Sequence, residues 1–144
     1  KYVVNYISML HNSSRKAGYN NGTVLDTRTG LMWAAKDNGS DINWANAKSY
    51  CANYRGGGYS DWRMPTQDEL AGLYDKAKTY RIGFLWEAHL TELIRLTSSW
   101  VWASETRGYD NWAANFNFYY GERSWMHQSI AFNPTRALPV RNAR

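Results

Sequence analysis

The sequence is short of the residues from which redox and metal centres are built. Its 144 residues include one cysteine, Cys51, so neither an intrachain disulfide nor a redox pair of cysteines can form. The three histidines, His11, His89 and His127, belong to no HExxH or other short metal-ligand spacing. We therefore expect neither a metal site nor a cofactor.

Motifs of hydrolytic and nucleotide-dependent enzymes are missing as well. The chain has no G-x-S-x-G nucleophile elbow. The triplet Gly56–Gly58 lacks the Gly-Lys-Ser/Thr ending of a phosphate-binding loop, and the end of a helix explains it. The given sequence contains no signal peptide and no apolar run of membrane-spanning length, and since it begins at a lysine we expect a leader or upstream region to have been removed. The sequence predicts a protein that is not an enzyme and does not insert into a membrane.

Aromatic residues and positive charge are in excess. Aromatic residues make up 16% of the chain, with 8 Trp and 11 Tyr against 4 Phe, and the net charge is +5. Trp and Tyr combine an apolar body with a polar edge, which suits half-exposed binding surfaces as well as cores. A basic protein attracts polyanions, but these bases are scattered, and no nucleic-acid recognition motif accompanies them. Nucleic acid is therefore not a predicted partner.

Two helices are predicted in the first half of the chain, near residues 43–54 and 66–76. The first has an apolar face and ends at the glycine triplet, while Thr66 and Glu69 form a capping box that begins the second. Trp62 and Arg63 lie between a turn and this capped helix, so we expect them to be poor candidates for ligand contact. The predicted core comprises Trp33, Trp44, Trp62, Leu70, Leu73, Trp112, Phe116 and Phe118.

Two segments allow more than one interpretation. Residues 1–18 start with apolar residues that suit either a short helix or a strand, and we assign them to an N-terminal extension or stalk junction. Residues 19–144 then form one domain. Within it, the apolar residues between Tyr80 and Thr97 suggest helical packing.

The last third of the chain has a β pattern. From Trp112 to Tyr120, apolar residues alternate with Asn115, Asn117 and Tyr119, which indicates a strand with one buried and one outward face. The two amides and the phenol are predicted to point outward. Pro139 within the final strand, residues 137–140, favours an edge or a bulge.

Several blocks of this sequence together resemble the Lcl C-terminal domain family, a bacterial group formerly of unknown function. The blocks are residues 23–33, residues 57–66 with Glu69 and Leu70, residues 100–105, residues 112–121 and residues 136–141. The resemblance implies an α+β, C-type-lectin-like fold, with two helices on a curved antiparallel sheet and with the N- and C-terminal strands paired. It would join Leu138 and Val140 to Val24 and Met32.

The resemblance also implies a non-enzymatic binding function on an exported bacterial protein, extracellular or at the cell surface. The family's namesake is the trimeric tip of a collagen-like adhesin that binds sulfated polysaccharides, and related domains are variable proteins of diversity-generating retroelements. Enzymatic relatives of the fold use a cysteine pair, which Cys51 alone cannot supply. The Glu-Pro-Asn or Gln-Pro-Asp motif of calcium-dependent lectins is also missing, so calcium is not predicted.

The candidate ligand-binding region is the stretch from residue 102 to residue 127, because it is rich in the Tyr, Asn, Ser and Arg that binding loops use. The predicted contact residues are Trp102, Arg107, Tyr109, Asn111, Asn115, Asn117, Tyr119, Arg123, Trp125 and His127.

Three hypotheses about the function follow. In the first, Arg107 and Arg123, with Arg15, Lys76, Lys78 or Arg81 nearby, hold sulfate groups of a glycan while aromatic faces stack on sugar rings. In the second, the same region is a retroelement-diversified receptor for a host or cell-surface protein. In the third, the domain is a homotrimeric cap on a fibre and has no ligand.

Overall fold

The computed structural model describes residues 16–130 and 134–143. Most of the N-terminal extension, residues 1–15, lies outside the described residues. The three that follow, Lys16–Gly18, form a strand paired with residues 24–26, so the sheet includes the end of the segment assigned to the extension. The described residues form two α-helices and ten strands, which confirms the α+β class.

The elements follow one another along the chain as strands, helices and strands again. The helices are α1 (Trp44–Asn53) and α2 (Gln67–Leu73), with a 3-10 turn at Gly56–Gly58 between them. The strands are β1 (Lys16–Gly18), β2 (Thr23–Asp26), β3 (Leu31–Ala34), β4 (Tyr80–Ile82), β5 (Trp86–Ala88), β6 (Trp100–Arg107), β7 (Trp112–Asn117), β8 (Glu122–His127), β9 (Thr135–Arg136) and β10 (Val140–Asn142).

Local capping fixes where both helices begin. The Asn43 side chain accepts a hydrogen bond from the Asn46 amide, at 2.9 Å, at the start of α1. The predicted capping box of α2 is confirmed: the Glu69 amide donates to the Thr66 hydroxyl at 3.1 Å, and the Thr66 amide donates to the Glu69 carboxylate at 2.9 Å. The glycine triplet does not itself end α1, because the helix already stops at Asn53 and the glycines form the next turn.

The first sheet joins the start of the described chain to its end, in the order β1-β2-β3-β10. Val140 lies opposite Trp33 and Arg141 lies opposite Met32, so the final strand pairs with a strand near the start, as predicted. The predicted register was wrong: the strand begins at Val140, after Pro139, and pairs with β3 and not with β2. On its other side Val140 forms a bridge to Arg63 through two backbone hydrogen bonds. Leu138 precedes the strand and is buried in the core.

The second sheet has the order β8-β7-β6-β9 and includes one parallel pair, β6 with β9. The expectation of a single antiparallel sheet was therefore wrong: the described residues form two four-stranded sheets and a separate β4–β5 hairpin. The larger core cluster contains Val24, Trp33, Leu70, Phe116 and Phe118. The smaller contains Ala47 and Cys51 of α1 together with Trp102 and Ala113.

The outward position predicted for Asn115 and Asn117 was wrong. Both side chains are buried, with Asn115 0% and Asn117 2% exposed, because β7 is a central strand with both faces covered. Asn117 is satisfied locally, since its side-chain oxygen accepts the Tyr119 amide at 2.7 Å and so closes the β7–β8 turn. The side-chain amide of Asn115 has no hydrogen-bond partner among the described residues.

The predicted core is confirmed for six of its eight residues, all of which are buried: Trp33, Trp62, Leu70, Leu73, Phe116 and Phe118. Trp44 is only half-buried, with its indole N–H donating to the Ala103 carbonyl at 2.9 Å. Trp112 is 36% exposed because it begins β7 at the end of the sheet, so its assignment to the core was wrong.

The helical packing suggested for residues 80–97 was also wrong. Tyr80–Ile82 pairs with Trp86–Ala88 as an antiparallel hairpin, with Ile82 opposite Trp86. The Tyr80 hydroxyl anchors it by donating to the Ile94 carbonyl at 2.7 Å, and burial raises the pKa of that hydroxyl to about 12. Leu90 and Ile94 fill the core from the irregular chain that follows.

Cys51 lies on the buried face of α1 and is predicted to resist thiol reagents in the native state. Burial raises the pKa of its thiol to about 12, so at pH 8 only about one molecule in ten thousand would be the reactive thiolate. We expect labelling by a chromogenic disulfide reagent to be slow in buffer and fast in denaturant. Rapid labelling of the folded protein would contradict the buried position.

Candidate ligand-binding surface

An arginine stacked between two tryptophans lies where β6 and β7 meet their connecting turn. The Arg107 guanidinium carbon is 5.1 Å from the ring centroid of Trp112 and 5.1 Å from that of Trp125. Strand pairing produces this arrangement, since Arg107 lies opposite Trp112 and Trp112 lies opposite His127, two residues beyond Trp125. A cation over an indole face is favourable and holds the flat guanidinium in a fixed plane.

The guanidinium also has a carboxylate neighbour within the same turn. Its Nη2 is 3.2 Å from the Asp110 carboxylate, and the Arg107 side chain remains 37% exposed. The Nε of Arg107 is buried and has no hydrogen-bond partner among the described residues. The Arg107 guanidinium is therefore held in place and reachable from solvent, and the Asp110 carboxylate neutralises part of its charge.

The turn itself displays polar and aromatic side chains. Tyr109 is 89% exposed at its tip. Asn111 has φ of 58°, the left-handed region that Asn tolerates better than most residues, and this geometry lets the chain enter β7. The Asp110 side chain accepts the Trp112 amide at 3.3 Å and stabilises the same turn.

The last strand residues and the start of α1 complete this end of the sheet. The His127 ring nitrogen Nδ1 is 2.7 Å from the Ser129 hydroxyl, and the Trp44 amide donates to the Gln128 carbonyl at 3.0 Å. Lys48, one turn further along α1, places its ammonium 5.3 Å from the Trp44 ring centroid. Trp44 and Lys48 share one helix face through their i, i+4 spacing and border this end of the sheet.

We call this region the indole–arginine surface. It consists of Arg107, Tyr109, Asn111, Trp112, Trp125 and His127, five of which were among the predicted contact residues.

The remaining predicted contact residues lie elsewhere. Trp102 is 0% exposed, with its indole N–H donating to the Ile42 carbonyl at 2.7 Å, so it is part of the core and not of a surface. Asn115 and Asn117 are buried in β7, as described above. Tyr119 follows the far end of β7, and at about 3.4 Å per residue the strand from Trp112 to Asn117 separates it from the indole–arginine surface by about 17 Å.

Arg123 does not join Arg107 in one anion site. It lies opposite Phe116, four residues along β7 from Trp112 and therefore about 14 Å away, and it forms an ion pair with Asp68 of α2. Lys78 lies near Tyr119, since its carbonyl contacts His89 and that ring lies 6.4 Å from the Tyr119 ring. Arg81 lies in β4 of the hairpin, and Lys76 lies in the turn that precedes it. Arg15 lies outside the described residues.

Most other arginines are occupied by structural pairs. Arg63 forms two 2.8 Å hydrogen bonds to Glu69. Burial is the largest single effect on the pKa of that carboxyl and raises it, but Arg63 and the hydrogen bonds from Thr66 together lower the pKa overall. Arg141 donates to Asp61 at 2.6 Å and lowers the pKa of that carboxyl. These pairs hold neighbouring segments together. Trp62 is buried, whereas the Arg63 side chain is partly exposed.

Comparison with known proteins identifies the family. The model of the Lcl C-terminal domain family matches residues 22–141, well over half of the chain, and the chain therefore belongs to this family. Membership is consistent with a ligand-binding domain. No curated protein and no solved structure gave a significant match. Among residues 16–130 and 134–143, no helix is long and apolar enough to span a membrane.

Proposed function

We propose that this domain binds sulfated or other anionic glycans, without calcium and without catalysis, as part of an exported bacterial surface protein. In this proposal the fold is a variant of the C-type-lectin-like fold and the contact region is the indole–arginine surface. The observation that carries the proposal is the guanidinium of Arg107 held between two indole rings beside an 89% exposed tyrosine.

The chemistry of a sulfated sugar matches these groups. The flat apolar faces of sugar rings stack on indoles and phenols, and Trp112 and Tyr109 are exposed for such contacts. A sulfate accepts two parallel hydrogen bonds from a guanidinium, and Arg107 is already oriented by its tryptophans. The net charge of +5 adds a long-range attraction to a polyanion.

Asp110 sets the strength of this site. Its carboxylate competes with an anionic ligand for the Arg107 guanidinium and repels the ligand's own charge. Removal of that charge should therefore strengthen binding of anionic glycans. The affinity for a neutral or diffusely bound ligand would not change.

The alternative, a retroelement-diversified receptor for a protein ligand, uses partly the same surface. The exposed Tyr109 and Asn111 favour it, since exposed Tyr and Asn suit protein recognition. The burial of Asn115 and Asn117 removes two positions that a diversified surface would display. A near-duplicate of the coding segment beside the gene would support the alternative.

The test is binding to immobilised heparin and to a neutral dextran, across a salt series and with and without a chelator. We expect the affinity for heparin to fall as the salt concentration rises and to be the same with and without the chelator. Arg107→Ala should lower heparin affinity about tenfold or more, because a charge-assisted hydrogen-bonded contact is lost, and Asp110→Asn should raise it severalfold.

Substitutions of other arginines distinguish binding at a defined site from a general attraction between the protein's net charge and the polyanion. Arg55→Ala removes the same charge at the other end of α1, and Arg123→Ala removes it from the Asp68 pair, so both should keep most of the affinity. Equal losses in all three variants would mean diffuse attraction and no defined site. An absence of heparin binding at low salt would overturn the glycan proposal in favour of a protein ligand.

A further inference from the structure

A small cleft lies between the β4–β5 hairpin and the start of β6, at the opposite end of the second sheet from the indole–arginine surface. Trp86, Trp100 and Pro134 line it together with the hydroxyl-bearing run of residues 97–99. Its volume is about 180 Å³, which corresponds to about six water molecules and is close to the size of one sugar ring.

The polar groups of the cleft are neutral, and some of them are unused. No charged side chain lines the cleft among the described residues. The Thr97 hydroxyl donates to the Asp37 carboxylate at 2.8 Å and accepts from the Arg136 guanidinium at 2.7 Å, and the Ser98 hydroxyl donates to the Pro134 carbonyl. In contrast, the Ser99 hydroxyl and the indole N–H groups of Trp86 and Trp100 make no hydrogen bonds to the described residues.

The walls of the cleft are held in place from behind. The Trp86 ring packs edge-on against the Tyr119 ring, with centroids 5.3 Å apart, while Trp86 itself remains 50% exposed. The Thr97 amide donates to the Asp37 carboxylate at 2.7 Å, and the Phe118 amide donates to the Ser99 carbonyl at 2.7 Å. A site with fixed walls loses little entropy when a ligand binds.

We propose that this cleft is a second binding site, which takes a single neutral pyranose ring. The indoles of Trp86 and Trp100 supply apolar faces for the ring's C–H groups. The free Ser99 hydroxyl and the two indole N–H groups exchange hydrogen bonds with the sugar hydroxyls. An uncharged lining fits an uncharged sugar: the guanidinium behind Thr97, that of Arg136, is already paired with Asp41 and bonded to Thr97, so a sulfate or carboxylate would lose its hydration without a free cation to replace it. The site is independent of the anionic-glycan function proposed above.

The test uses methyl β-D-glucopyranoside and methyl β-D-galactopyranoside as probes, in saturation-transfer NMR and tryptophan fluorescence titrations. We expect at least one of them to bind the native protein, with the same affinity at low and high salt. Trp86→Ala should lower that affinity about tenfold or more, Ser99→Ala should lower it less, and Trp86→Phe should restore part of it.

Controls at the other surface keep the two proposals distinguishable. Trp86 is half-exposed, so Trp86→Ala should fold, which far-UV circular dichroism and unchanged heparin binding would verify. Arg107→Ala should leave glycoside binding intact. Failure of both glycosides to bind, or equal binding by Trp86→Ala and the native protein, would overturn the second site and leave the heparin proposal standing.

Discussion

Replacement of Trp102 by alanine should lower the free energy of unfolding by about 3–5 kcal/mol, the usual cost of deleting a buried tryptophan. Its side chain is fully buried in the cluster formed by Ala47, Cys51 and Ala113. Its indole N–H donates to the Ile42 carbonyl at 2.7 Å, so the variant also leaves that carbonyl without this partner. Urea denaturation followed by circular dichroism would measure the loss.

The matched control is the same substitution at an exposed tryptophan of the same sheet. Trp112→Ala removes a 36% exposed side chain, so it should cost much less stability than Trp102→Ala but should weaken heparin binding. Trp102→Phe keeps most of the volume while losing the N–H donor, and should fall between the native protein and Trp102→Ala. If Trp102→Ala were as stable as the native protein and only its ligand binding were lost, the assignment of Trp102 to the core would be wrong.

Features that depend on a few neighbouring residues could be predicted from the sequence. The capping box of Thr66 and Glu69 marks the start of α2 because both of its hydrogen bonds join residues three apart. The alternation from Trp112 onward correctly indicates a strand for the same reason, since side chains in any strand alternate. The family resemblance added what local patterns cannot give, the pairing of the last strand with one near the start.

The exposure of each residue could not be predicted in the same way, because it depends on distant segments. Alternation of Asn with apolar residues suggests a solvent-facing side, yet β7 lies between β6 and β8 and both of its faces are covered. Residue type does not distinguish Trp102 from Trp112, since both are tryptophans in neighbouring strands. Trp102 is the buried one because α1 packs over β6 at that position. The apolar residues of the hairpin at residues 80–88 have a spacing that also suits a helix. The segment forms strands because its two halves pair with each other.

The predicted contact residues do not form one surface, and the reason is the geometry of the sheet. Residues 102–127 are continuous in sequence, but they form three antiparallel strands whose two turns lie at opposite ends of the sheet. Tyr109 and Tyr119 therefore belong to different surfaces, although they are only ten positions apart in the sequence. The pairing of Arg107 with two tryptophans required the register of all three strands, which no local pattern specifies.

Gly121→Ala is expected to destabilise the protein by about 2–5 kcal/mol, because two costs combine at this residue. Gly121 has φ of +73°, a left-handed conformation that costs a residue with a Cβ roughly 1–2 kcal/mol. An added Cβ would lie 2.6 Å from the Tyr74 ring, and overpacking of this kind costs about 1–3 kcal/mol. Thermal and urea unfolding of the variant would measure the sum.

Gly22→Ala separates the two costs, since Gly22 has φ of +83° but no atom within 4 Å of an added Cβ. It should show the backbone cost alone, and the difference between the two variants then measures the clash with Tyr74. That ring has little room to retreat, because it packs against both His89 and Phe116 with centroids 6.0 Å away. Equal destabilisation by the two substitutions would mean that Tyr74 moves aside at no cost.

Gly121 closes the turn that carries Tyr119, and the Tyr119 ring packs against Trp86. Substitution of Gly121 should therefore also weaken binding of a neutral glycoside while leaving heparin binding unchanged.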